Sequence, residues 1–116
     1  MLLIVILFSK YFVPKGYSGL AIYPFVFLKS KALKKDGVLI NHEKIHLRQQ
    51  IEMLVLPFYI IYILEFLFRY IQYGQVYLAY KNISFEREAY ANESNLNYLK
   101  TRSFWQFLKY IRSYDF

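Results

Sequence analysis

The segment Asn41-His42-Glu43-Lys44-Ile45-His46 contains the five-residue pattern H-E-x-x-H, and the rest of the chain is read outward from it. On an α-helix, residues four apart lie one turn apart on one face, so His42 and His46 can share a metal ion. Glu43 stands beside them, placed to take a proton from a metal-bound water. Both histidines of the sequence fall in this segment. Short patterns also arise by chance, so the reading needs three supports: an amphipathic helix around the motif, a third ligand downstream and a core that holds them rigid.

The 116 residues make one domain, 1–116, with no room for a second core. With 13 Tyr and 11 Phe, the chain has either a dense small core or a surface that faces lipid. A net charge of +7, from 15 basic and 8 acidic residues, suits anionic surfaces such as membrane headgroups. No nucleic-acid partner is expected, because no nucleic-acid motif is present and acidic residues surround the H-E-x-x-H segment. The absence of cysteine excludes disulfides and thiolate metal sites, so any metal must take nitrogen and oxygen ligands.

Upstream of the motif, 1–37 reads as a strand and loop region. The apolar run 2–8 is too short to span a bilayer and reads as a buried strand, with a cropped membrane anchor as the second reading. It lacks a basic leader and a small-residue cleavage site, so no cleavable signal peptide is expected. Pro14, Gly16 and Gly19 mark a turn over 10–19. The β-forming run 20–28 reads as one strand, with Pro24 making it an edge strand or marking a bulge. Beside a metal helix, such an edge can bind an extended peptide by β-augmentation. Lys29, Lys31, Lys34 and Lys35 form a basic loop closed by Asp36-Gly37.

The region 38–99 reads as the metal-site helices. Asn41 is a good N-cap for a helix over 42–56. On it His42, His46, Gln49 or Gln50, and Met53 share a face, while Ile45, Leu47, Ile51, Leu54 and Val55 supply apolar cover. After Pro57, a second helix over 58–71 carries Glu65 and Arg69 at a pairing distance of i,i+4. Its length makes it a core helix rather than a span, with an apolar surface suited to oligomer contacts. The stretch 73–84 returns the chain, and Ser84 caps a third helix over 85–99. The region 100–116 reads as a C-terminal amphipathic helix, 103–114, with Phe104, Phe107, Leu108 and Ile111 on one side and a basic, aromatic face suited to a membrane surface.

A catalytic zinc keeps three protein ligands and one open position. With no further His or Cys, the third ligand must be a carboxylate. Glu52 points away around its own helix, Glu65 has Arg69 as a partner, and Asp115 lies near the end of the chain. The cluster Glu86, Glu88 and Glu93 remains, and helix register alone does not choose among them. If Pro57 only kinked a continuous helix, Tyr73 would lie roughly 40 Å from His46. A sharp reversal near Pro57 is therefore required to return this cluster to the metal, and proline in the first turn of a new helix suits it.

The H-E-K-I-H segment, followed some forty residues later by Glu86-Arg87-Glu88-Ala89, resembles the gluzincin clan of zinc metallopeptidases. In layout it is most similar to the heat-shock and prenyl-protein membrane proteases and to antirepressor proteases of the BlaR type. The resemblance covers about residues 38–95. It implies that Glu86 is the third ligand and that Tyr90 stands where the family often has an aspartate that steadies a histidine ligand. Gln49-Gln50 also resembles the small H-E-x-x-H-x-x-Q-Q peptidase domains.

The expected fold is α+β, mostly α: a minimal zincin-like domain with a short edge strand or hairpin followed by three to four helices. The expected function is zinc-dependent hydrolysis of a peptide or protein substrate, with one Zn2+ per chain on His42, His46 and Glu86 and with Glu43 as general base. The rival reading is a non-catalytic membrane-surface or interaction protein that keeps a structural metal site. A closed fourth ligand position favours the rival, and an open one beside Glu43 favours the enzyme. The expected location is cytoplasmic or peripherally membrane-associated.

Overall fold

The N-terminal apolar run forms β1 (Val5–Phe8), and 20–28 folds as a hairpin of β2 (Gly19–Ile22) and β3 (Phe25–Leu28) rather than the single strand expected. Pro24 has no N–H to give to a ladder, so it sits in the turn, joined to Tyr23 by a cis bond. The structure, a computed structural model, describes residues 4–111. Strand order is β1-β3-β2, with β1 parallel and β2 antiparallel to the central β3. Ala21, Val26 and Leu28 pack one sheet face against Leu47. β1 is mostly exposed rather than buried, because it lies at the outer edge of the sheet.

The lysine-rich segment makes a 3-10 turn over Lys31–Lys35 and leads into α1 (Gly37–Met53). The N-cap is Asp36, whose carboxylate accepts the Leu39 N–H at 3.1 Å, and not Asn41. Asn41 is buried inside the helix and donates through Nδ2 to the carbonyls of Glu93 and Asn95, at 2.8 and 2.9 Å. It ties α1 to the segment that carries the third-ligand candidates. Leu54, at φ 67°, breaks the helix, and α2 (Val55–Tyr73) folds back on α1 with Pro57 in its first turn. That position needs no N–H from proline.

α2 is not the core helix expected from its length. Only Phe58 and Arg69 of its residues are buried. Nor do Glu65 and Arg69 pair with each other. Glu65 accepts the Ser84 N–H at 2.8 Å and the Ser84 hydroxyl at 2.6 Å, while Arg69 donates to Gln72 at 2.8 Å and to the Ile111 carbonyl. Each charge finds a better partner on its own side of the helix. By length and composition, α2 is long and apolar enough to cross a membrane, with a mean hydropathy of 1.4 over its best window.

The return segment holds a short helix, α3 (Val76–Lys81). The helix expected over 85–99 is split into α4 (Ser84–Asn92) and α5 (Tyr98–Thr101). Ser84 does not cap α4 with its own side chain; Glu65 caps it from α2. The amphipathic helix expected over 103–114 is, among the described residues, a 3-10 turn at Gln106–Tyr110 that follows a left-handed Trp105. Its Phe107 enters a core with Phe58, Ile83 and Phe85. Residues 112–116, with Asp115, lie outside the described part. The fold is thus α+β and mostly helical, as expected, with two helices longer than expected and the later part of the chain divided into more and shorter ones.

Candidate metal centre

Two helices build the centre. α1 presents His42 and His46 one turn apart, and α4 presents Glu86 across from them. Ile45, between the histidines, meets Ala89, one turn after Glu86, in a fully buried contact. The small alanine lets the two backbones approach closely enough for the side chains to converge. Glu86 Oε1 lies 3.2 Å from His42 Nε2 and 3.0 Å from His46 Nε2, and the two nitrogens are 3.1 Å apart. Around a tetrahedral zinc, with bonds of about 2.0–2.1 Å, neighbouring donors sit about 3.3 Å from one another. The triangle fits that coordination base, and His42, His46 and Glu86 form a buried group that could hold a metal ion.

The hydrogen bonds behind the ligands dictate where the protons are. Glu93 accepts from His42 Nδ1 at 2.7 Å, and a carboxylate has no proton to give in return. Gln49 Oε1 accepts from His46 Nδ1 at 2.9 Å. The Gln49 amide cannot be reversed, because its Nε2 donates to the Phe85 carbonyl at 3.1 Å and to Glu88 at 2.9 Å. With both Nδ1 atoms protonated, two neutral imidazoles would aim their Nε2 lone pairs at each other and at a carboxylate oxygen. Only a cation makes that arrangement favourable. In the metal-free site a proton fills the role. Burial opposes charge on His46, but the Glu86 carboxylate, its hydrogen bond and the charge of Glu43 hold the imidazole up at about 9. Burial would raise Glu86, yet His46 and His42 pull it well below the usual carboxylate range.

Glu43 occupies a different position. It is 5% exposed, and among the described residues its carboxylate has no hydrogen-bond donor. Burial raises its pKa, partly offset by His46 and His42. Gly19 on β2 lies against it: a Cβ there would stand 3.2 Å from Glu43 Oε2. Two cavities meet at Glu43 and His42. One, of about 330 Å3, also touches His46 and Glu86 and is walled by Leu20, Phe58, Tyr59, Tyr62 and Phe66. The other, of about 290 Å3, is more polar, with Ser18, Asp36, Tyr90 and Glu93.

The edge strand beside the site is β2, but half of its free edge is closed. Gln50 donates to the Ala21 carbonyl at 2.9 Å and accepts the Tyr23 N–H at 2.7 Å, and the Tyr59 hydroxyl also donates to Ala21. By the alternation of the ladder, the polar groups of Gly19 face the same way as those of Ala21. The open part of the edge is therefore at Gly19, next to Glu43.

The other acidic residues have different work. Glu88 and Glu52 flank Arg102, whose Nη1 lies 2.5 Å from Glu52 Oε2 and whose Nε donates to Glu88. Tyr98 also donates to Glu88, at 2.7 Å. Glu93 binds the far side of His42, and Glu65 binds Ser84. Glu86 alone of the cluster reaches both Nε2 atoms. Tyr90 does not hydrogen-bond a ligand; its ring packs edge-on against His42, with centroids 4.5 Å apart. Glu93, a third-ligand candidate in the sequence, instead supplies the carboxylate that binds the far nitrogen of His42. Its spacing of seven from Glu86, two turns on one face, was the available signal. Tyr62, which donates to Glu86 Oε2 at 2.6 Å, had no signal among so many tyrosines.

The chain matches no family model, no curated protein and no solved structure.

Proposed function

We propose that the chain is a small zinc-dependent peptidase of gluzincin type, with His42, His46 and Glu86 as ligands and Glu43 as general base. The observation that carries the reading is the convergence of three buried lone pairs on one point, beside a buried carboxylate that no hydrogen bond engages. Zinc suits the donor set of two imidazoles and a carboxylate with no thiolate. When bound, it would supply a Lewis acid beside the cavity that His42, His46 and Glu86 line.

The chain's own residues do the rest. Tyr62 and Glu93 keep Glu86 and His42 aimed. Glu43 has a raised proton affinity from burial, which suits a group that takes a proton from water and passes it to a leaving amine. A substrate backbone can pair with β2 at Gly19, one side chain entering the apolar cavity. Against a purely structural site stands the ligand count: among the described residues the group has three members, and Glu43 is not one of them. The reading includes a peripheral membrane placement, for which α2 offers an apolar face.

The test is hydrolysis of a peptide library by the zinc-loaded protein and by Glu43→Gln. The variant should keep its zinc and lose at least about 100-fold in rate. Zinc uptake with no hydrolysis by either protein would favour the non-catalytic reading instead.

A further inference from the structure

α2 is built inside out. Its two charged residues, Glu65 and Arg69, and two of its tyrosines, Tyr59 and Tyr62, point into the protein, where each has a hydrogen-bond partner; Tyr70, at the margin of the outer side, is exposed. Its outer side is Ile60, Ile63, Leu64, Leu67, Phe68 and Ile71, each at least half exposed. The spacing of these six is that of one helix face, and their side chains hold no donor, acceptor or charge. An ordinary surface helix has the opposite arrangement.

The 3-10 turn at Gln106–Tyr110, packed on α4, carries further exposed apolar side chains. It is pinned to α2 by the Arg69 bond to the Ile111 carbonyl and by Phe107 in the core with Phe58. Trp105, Leu108 and Lys109 are exposed on it.

We propose that the outer face of α2 docks in the plane of an anionic lipid bilayer. Three observations choose lipid over a protein. A protein interface carries roughly one hydrogen bond per 100–200 Å2, and this stripe can make none with its side chains. The stripe runs from Ile60 to Ile71, an apolar strip of about 18 Å with no register-setting polar side chain in it. The chain carries +7, a charge that favours an anionic membrane surface. In-plane docking follows from the inner side: Glu65 and Arg69 are bound to α4 and to Ile111, so the helix cannot leave the domain to cross alone. The proposal does not rest on the peptidase reading.

The test is cosedimentation of the full chain with vesicles of phosphatidylcholine and phosphatidylglycerol, against the double variant Leu64→Gln/Leu67→Gln. Both positions are solvent-facing, and an unchanged thermal melt and zinc content verify the fold. Wild type should pellet with the vesicles, and the double variant should bind at least about tenfold more weakly. Wild type left in the supernatant overturns the proposal. So does a wild-type dimer in buffer that the double variant converts to monomer, because a second copy then covers the face.

Discussion

α1 and α2 pack against each other and break the usual pattern in opposite ways. α1 buries Asn41, His42, Glu43, His46, Gln49 and Gln50. α2 exposes Ile60, Leu64, Phe68 and Ile71, the last 84% exposed. On α1 the other buried polar groups are matched by partners from α4, the segment just after it or β2, and Glu43 is, among the described residues, the exception. On α2 the outer apolar side chains are, among the described residues, at least half exposed. Polar groups placed inside at such a cost mark where chemistry is done, and apolar groups left outside mark where another phase is met. Tyr62, on the inner side of α2, joins that helix to the metal group by donating to Glu86 of α4.

The strongest break of the comparison is on the α1 side. The Arg102 side chain lies buried between Glu52 and Glu88. Arg102→Ala leaves two buried carboxylates without a counter-ion and should cost about 3–5 kcal/mol in denaturant unfolding. A loss near zero would show that the pair is solvated.

Next in size is the support of His42. Glu93→Gln should weaken zinc binding by about 10- to 100-fold in a competition titration, while Tyr90→Phe changes it little. The reverse order would return the aspartate-like role to position 90.

The pH response sharpens the contrast further. In the metal-free protein, His46 folds with a pKa of about 9, above its ordinary 6.5. Its pairing with Glu86 therefore contributes stability that is complete below about pH 6.5 and lost as pH rises through about 9. Zinc needs the same nitrogen free of its proton, so its affinity should rise about tenfold per pH unit up to about 9. Thermal melts with and without chelator should show opposite trends over that range. Parallel trends would mean that His46 does not hold the proton.

The smallest effect belongs to α2. Ile63→Gln, on the outer stripe, should change stability in buffer by no more than about 0.5 kcal/mol. A loss of 2 kcal/mol or more, on the order of a core truncation, would show that the stripe is covered by protein in solution.

Local spacing made much of this legible. The i,i+4 histidines and the need for a reversal at Pro57 required only chain geometry, and the structure brings Glu86 to His42 and His46. What was not legible depends on partners distant in sequence. Asp36 rather than Asn41 caps α1, because Asn41 is drawn inward by carbonyls of residues 93 and 95. Glu65 and Arg69 have ideal spacing for a pair, yet each binds another element, and this turns the charges of α2 inward. Pro24 was a visible signal read one step short: it makes a turn between two strands, not a flaw in one. The amphipathic pattern after Ser103 was overruled by the left-handed Trp105 and the docking of Phe107.

The most direct measurement is zinc content by elemental analysis after loading and dialysis, for wild type, His46→Ala, Glu86→Ala and Glu43→Gln. One zinc per chain is expected in wild type and Glu43→Gln, with loss in His46→Ala and Glu86→Ala. A wild-type chain that takes up no zinc, or a Glu86→Ala chain that keeps it as tightly, would contradict the three-ligand centre.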